Sequence, residues 1–174
     1  MLSKNMAQDL MARLPGDILT QKDFQVEEVN QTNASNAIIR TKLSAAFRFQ
    51  KIEGKWVPKE VRLGNDQWES IDALVATLQR IKEDRTRESL ARVGGAIESY
   101  CLKNGKLPDF RDYDSLSDLL TPEYLNPLIR LDAWTRPFHA VRLNTYTVKL
   151  QSAGADGRLE SNDDIELTKA CPGR

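Results

Sequence analysis

Long apolar runs are missing from this chain, as are closely spaced cysteines, a second histidine and an excess of either charge. No stretch of about 18 apolar residues occurs, so the sequence as it stands does not span a bilayer. Its start, Met1 to Pro15, is amphipathic and lacks the apolar core and small-residue cleavage site of a signal peptide. Either the chain is cytosolic, or an export segment precedes residue 1. Lys+Arg and Asp+Glu balance at 25 each, which argues against a nucleic-acid binder. The lone histidine, His139, has no Ser or Cys nucleophile placed beside it, so a surface or packing role is expected. No phosphate-cradling loop occurs, because Gly94-Gly95 lies in a helical pattern without a following Lys-Ser/Thr. Trp56, Trp68 and Trp134 read as core or interface anchors. An enzyme is not expected.

The two cysteines, Cys101 and Cys171, form no CxxC pair, which fits one disulfide and not a zinc site. Bonded, they would close a loop of about 70 residues, worth roughly 4 kcal/mol in the chain-entropy model. Unbonded, they would be one helix thiol and one tail thiol.

What is present suits one ordinary domain or two small ones, with 40% hydrophobic residues able to form a core. Over residues 3–14, Met6, Leu10, Met11 and Leu14 share a helical face that Pro15-Gly16 ends. Phe24 to Val29 alternates like a strand, Asn30 to Asn36 is turn-rich, and Ala37 to Ile52 reads as one long strand. Trp56 to Leu63 returns from the Glu53-Gly-Lys loop, with Pro58 pointing to an edge position. Residues 1–64 therefore predict a helix on a three-stranded antiparallel meander.

Asn65-Asp66 offers a helix cap, and Ile71, Leu74, Val75, Leu78 and Ile81 begin a helical stripe that resumes at Leu90, Val93 and Ile97. Between them, Arg80 to Glu88 is a charged run that suits a solvated helical face or a break. Asn104-Gly105 stops the helix. A short helical turn follows at Ser115–Leu120, then a proline-punctuated loop and two short strands, 138–143 and 146–151.

The last of these strands leads into Ser152-Ala-Gly-Ala-Asp156-Gly-Arg-Leu-Glu160-Ser-Asn-Asp163-Asp164-Ile165. Four carboxylates in so short a loop repel one another unless water or a cation intervenes. Adjacent ionised aspartates suit a cation better than a proton shuttle. The loop has no His or Cys, which disfavours zinc or copper, and its order is not that of an EF-hand. A structural calcium loop is the expectation.

Several motifs stand in a recognisable order from about Thr86 to Ile165. They are Tyr100-Cys-Leu-Lys-Asn-Gly-Lys-Leu-Pro108, Asp132-Ala-Trp-Thr-Arg-Pro-Phe138, Ser152-Ala-Gly-Ala-Asp-Gly157 and Asp163-Asp-Ile165. In this order they resemble the soluble domain of the type II secretion major pseudopilin, the G-type subunit. The resemblance implies a calcium ion held by the side chains of Asp156, Asp163 and Asp164 and by the backbone carbonyls of Ala153, Arg158 and Ser161. Glu160 falls outside that set. Two departures stand out. The family's glycine after the tryptophan is Thr135 here, so that turn is expected to differ in backbone shape. The apolar N-terminal helix of a pseudopilin is absent from the sequence as it stands.

The expectation is thus an α+β chain of two modules, about 1–64 and 66–174, the second pseudopilin-like with a C-terminal calcium loop. Its expected role is a non-catalytic structural or interaction component with protein partners, other secretion-system subunits among them. Its expected place is periplasmic or otherwise extracytoplasmic, reaching a membrane only through a segment outside this sequence. The alternative is a soluble extracytoplasmic module that reuses the pseudopilin-like domain and captures a peptide or protein at the strand edge near Trp56–Leu63.

Overall fold

Alternating side chains dominate residues 24–63, and they build two hairpins in place of one meander. The structure is a computed structural model that describes residues 2–11, 13, 20, 22–64 and 67–172. Among the described residues the architecture is mixed α+β, with three helices and small antiparallel sheets. The chain divides into two units, Met1–Ala76 and Thr77–Arg174, at a point inside the long helix.

In the first unit, Ala7 of α1 (Lys4–Met11) is buried with Phe24 and Val26 of β1 (Phe24–Gln31), and Met11 packs against them. Met6 and Leu10, expected on the packed face, are 54% and 55% exposed, because close approach to the strand is made through the small Ala7. Leu14, Pro15-Gly16 and the cap at Asn65-Asp66 lie outside the described residues. β1 pairs with β2 (Ala37–Leu43) across a turn where the Asn33 side-chain oxygen accepts from the amides of Ser35 and Asn36, both 2.9 Å.

The run 37–52 is two strands, not one. At Ser44 the amide donates to the Asp23 carbonyl (2.7 Å) and the carbonyl accepts from the Gly64 amide (2.9 Å). The first bond continues the register of Phe24 with Leu43 and the second that of Ala45 with Leu63, so Ser44 hands the chain from one ladder to the next, and β3 (Ala45–Ile52) starts a separate sheet with β4 (Lys55–Leu63) and β5 (Glu69–Ser70). Pro58 sits beside the register shift at Arg48/Phe49, and β5 pairs with β4 only at Glu60 and Val61. A proline is tolerated at such a place. Trp68 stacks under Arg48 and Arg62, at 4.3 and 5.1 Å from the ring centre. Trp56, expected as an anchor, is 68% exposed at the far end of the hairpin.

α2 runs unbroken from Ile71 to Asn104, so the charged run is a solvated face of one helix. Its early apolar stripe, Leu74, Val75, Leu78 and Ile81, is exposed, whereas Leu90, Val93, Ala96, Ile97 and Cys101 enter the core. α3 (Tyr113–Leu120) opens on a capping box in which the Ser115 amide donates to the Asp112 carboxylate (2.8 Å) and the Asp112 amide donates to the Ser115 hydroxyl (3.1 Å). The following loop carries cis bonds at Thr121-Pro122 and Asn126-Pro127.

The second sheet-bearing layer is β6 (His139–Arg142), β7 (Thr147–Ser152) and β8 (Ile165–Ala170), antiparallel in that order. Two strands and a tail were expected; the tail is the third strand. Val148, Leu150 and Ile165 join Leu90, Val93, Ile97, Leu116 and Leu120 in one core. β8 crosses α2 at Gly94, where an added Cβ would stand 2.9 Å from both Leu167 and Lys169 side chains. The adjoining Gly95 faces open space. A disulfide joins Cys171 to Cys101 on α2, with the Cα atoms 5.4 Å apart. Among the described residues no helix is long and apolar enough to cross a membrane.

Candidate functional site

The acidic loop is the connection from β7 to β8, and not an appendage beyond the last strand. β7 ends at the buried Ser152, and Ala153 is also buried. The chain then passes three times through left-handed conformations, at Gly154 (φ 57°), Gly157 (φ 76°) and Glu160 (φ 67°). A side chain at position 154 would lie 2.2 Å from the Asp163 carbonyl oxygen, so the glycine lets the two ends of the loop touch.

That closure brings the three predicted aspartates together. The Asp156 amide donates across the loop to Asp163 Oδ2 (2.9 Å), and the Glu160 amide donates to Asp164 Oδ2 (2.7 Å). The Ser161 hydroxyl lies 2.5 Å from Asp163 Oδ1 and 3.4 Å from both Asp156 Oδ1 and Asp164 Oδ1. A hydroxyl carries one proton and can serve only one of those oxygens. The other two contacts set oxygen against oxygen. Hydrogen bonds from the Ser161 hydroxyl and the Asp156 amide hold the Asp163 carboxyl below the usual carboxylate range. Among the described residues, no Lys or Arg forms an ion pair with Asp156, Glu160, Asp163 or Asp164.

Of the predicted backbone donors, the Ala153 carbonyl accepts from the Gly157 amide (3.0 Å) and the Ser161 carbonyl lies 3.5 Å from the Asp164 amide. Arg158 is exposed, and its amide donates to Asp156 Oδ1 (2.7 Å). Ser161 matters here through its hydroxyl, a role the sequence reading did not give it. The all-oxygen donor set fits a hard cation in its chemistry. No group of three or more His, Cys, Asp and Glu among the described residues forms a ready-made ligand cage, so hydroxyl and carbonyl oxygens are needed to complete one.

Two further residues grip the loop from the turn before β6. Asp132, buried, accepts from the amides of Trp134 and Arg136 (both 2.9 Å) through one oxygen and from the Ser152 hydroxyl (2.6 Å) through the other. Arg136 donates to the carbonyls of Gly154 and Ala155, the latter at 2.9 Å. Thr135 adopts φ 65°, the left-handed region that favours glycine, so the turn keeps a glycine-like backbone despite the threonine. The same turn touches α2: Trp134 Nε1 donates to Gln79 (2.8 Å), and the Ala133 amide donates to the Thr86 hydroxyl (3.2 Å). The motif was visible in the sequence, but nothing local revealed what its Asp and Arg hold. His139 is exposed on β6, opposite Gln151.

No protein-family model, curated protein or solved structure matches this chain.

Proposed function

We propose that this chain is a non-catalytic structural or interaction component whose second unit is pseudopilin-like, with calcium holding the β7–β8 loop together. One observation carries the reading: three carboxylate oxygens lie within 3.4 Å of the Ser161 hydroxyl, and among the described residues no basic side chain forms an ion pair with them. Asp156, Asp163 and Asp164 would hold the ion, with the carbonyls of Ala153, Arg158 and Ser161 and the Ser161 hydroxyl as further oxygens. Calcium supplies the positive charge that lets these carboxylates share one turn. The chain's own residues do the rest: Gly154 and Gly157 close the loop, and Asp132 and Arg136 hold its base.

The Cys101–Cys171 disulfide supports an extracytoplasmic setting, where such bonds persist. Partners in this reading are proteins, other secretion-system subunits among them. A ligand that binds only the folded state adds about 2.7 kcal/mol at a hundred times its Kd. Melting curves of the full chain in calcium chloride and in chelator test the idea. The calcium curve should lie higher, and Asp163→Ala should erase the gap. Equal melting temperatures for the unmodified protein would sink it.

A second reading, a peptide- or protein-binding module, is favoured by the hairpin β3–β4, where Phe47, Phe49 and Trp56 are all more than half exposed. In that reading Trp56→Ala weakens partner binding and leaves the calcium response unchanged.

A further inference from the structure

We infer that Arg136 is the positioning residue of the acidic loop, fixing the backbone that aims Asp156 at the cation; this rests on the calcium reading above. Its guanidinium forks onto the carbonyls of Gly154 and Ala155, the two peptide units immediately before Asp156. A planar fork of this kind sets direction as well as distance. The residue is itself fixed at its base, since its amide donates to the buried Asp132 carboxylate (2.9 Å). Asp132 in turn takes the Ser152 hydroxyl (2.6 Å), and that hydroxyl accepts from the Gly154 amide (3.2 Å). Position 154 is therefore gripped at both its N–H and its C=O by groups anchored to one carboxylate. Asp132 is 6% exposed and Ser152 is fully buried, so water does not compete for these bonds. Gly157 makes room for the arrangement, because a Cβ there would stand 2.8 Å from Arg136 Cζ.

A cation beside a cation site has two opposing effects. Its charge repels the incoming ion, while its hydrogen bonds preorganise the ligands. Here the guanidinium bonds carbonyls and forms no ion pair with the loop carboxylates, so the preorganising effect dominates. Partners one shell out from a metal typically change its affinity by about 10–100-fold.

Calcium titration calorimetry on the full chain, wild type against Arg136→Lys and Arg136→Met, separates the two effects. Both variants should bind calcium about tenfold more weakly or worse, because both lose the fork. In chelator, both should also show faster hydrogen exchange at the amides of residues 154–164, a readout that needs no metal. Tighter or unchanged binding by Arg136→Met, or unchanged exchange in both variants, overturns the role of Arg136. A wild type that takes up no calcium overturns the calcium reading alone, and the exchange measurement in chelator still decides what Arg136 does. The charge-retaining Arg136→Lys keeps the comparison available if the methionine variant folds poorly.

Discussion

Asp163 accepts from the Ser161 hydroxyl and, across the loop, from the Asp156 amide. Those bonds favour its charged form, so the folded loop binds a proton less readily than the unfolded chain. The stability this contributes is fully present above the unfolded carboxyl's titration near pH 4 and is lost as pH falls through the lower folded value. Acid melting followed by circular dichroism should therefore fall off less steeply below about pH 4 in Asp163→Asn than in the wild type. An unchanged slope would show that the carboxylate contributes nothing to acid sensitivity. The three aspartates were legible as a group, because acidic residues crowded within a few positions of Gly154 and Gly157, with few apolar neighbours, have few alternatives to a loop. The central place of the Ser161 hydroxyl was not, since it depends on a closure made by Gly154 against Asp163. Arg136 was equally hidden: its partners are main-chain carbonyls far along the chain, and carbonyls leave no mark in a sequence.

Among the elements, α2 was the most legible, because apolar residues at helical spacing from Leu90 to Ile97 leave little else for the segment to be. Its paired glycines divide into two cases that the sequence could not tell apart. Gly94 lies under β8, with Leu167 and Lys169 side chains where a Cβ would go, while Gly95 is exposed with nothing within 4 Å. Gly95→Ala should raise stability by about 1 kcal/mol through helix propensity alone. Gly94→Leu should lower it by about 1–3 kcal/mol through overpacking. Chemical denaturation of the two variants checks the contrast, and similar shifts in one direction would remove it. β8 itself went unread because its inward face offers only Ile165 and Leu167 before Lys169, a weak alternating signal after a conspicuous loop. The split at Ser44 was beyond local reading for another reason: the groups that take its amide and carbonyl belong to Asp23 and Gly64.

At the scale of the whole molecule, the division at Ala76/Thr77 places every residue of the acidic loop and both cysteines in the second unit. The mixed α+β class followed from the alternation before residue 64 and the helical spacing after it; a division inside a continuous helix has no compositional marker. Calcium should then act on one unit only. Scanning calorimetry of the full chain should show a component that rises with calcium and a component that does not. A uniform shift of the entire unfolding profile would count against separate units. A collapse of the calcium-sensitive component on reduction of the disulfide would agree with the staple between α2 and the end of β8.

The end of α2 also bears on how the protein ages. Asn-Gly pairs deamidate when the glycine nitrogen attacks the asparagine side chain, and Asn104-Gly105 is such a pair. Here Gly105, at φ 74°, gives its amide to the Cys101 carbonyl (2.7 Å), and the Asn104 side chain donates to the Tyr100 carbonyl (2.9 Å). Nucleophile and target are both held by the helix terminus. Damage at this site accumulates while that terminus is open, so the isoaspartate content of an old sample records how long its molecules have spent frayed there.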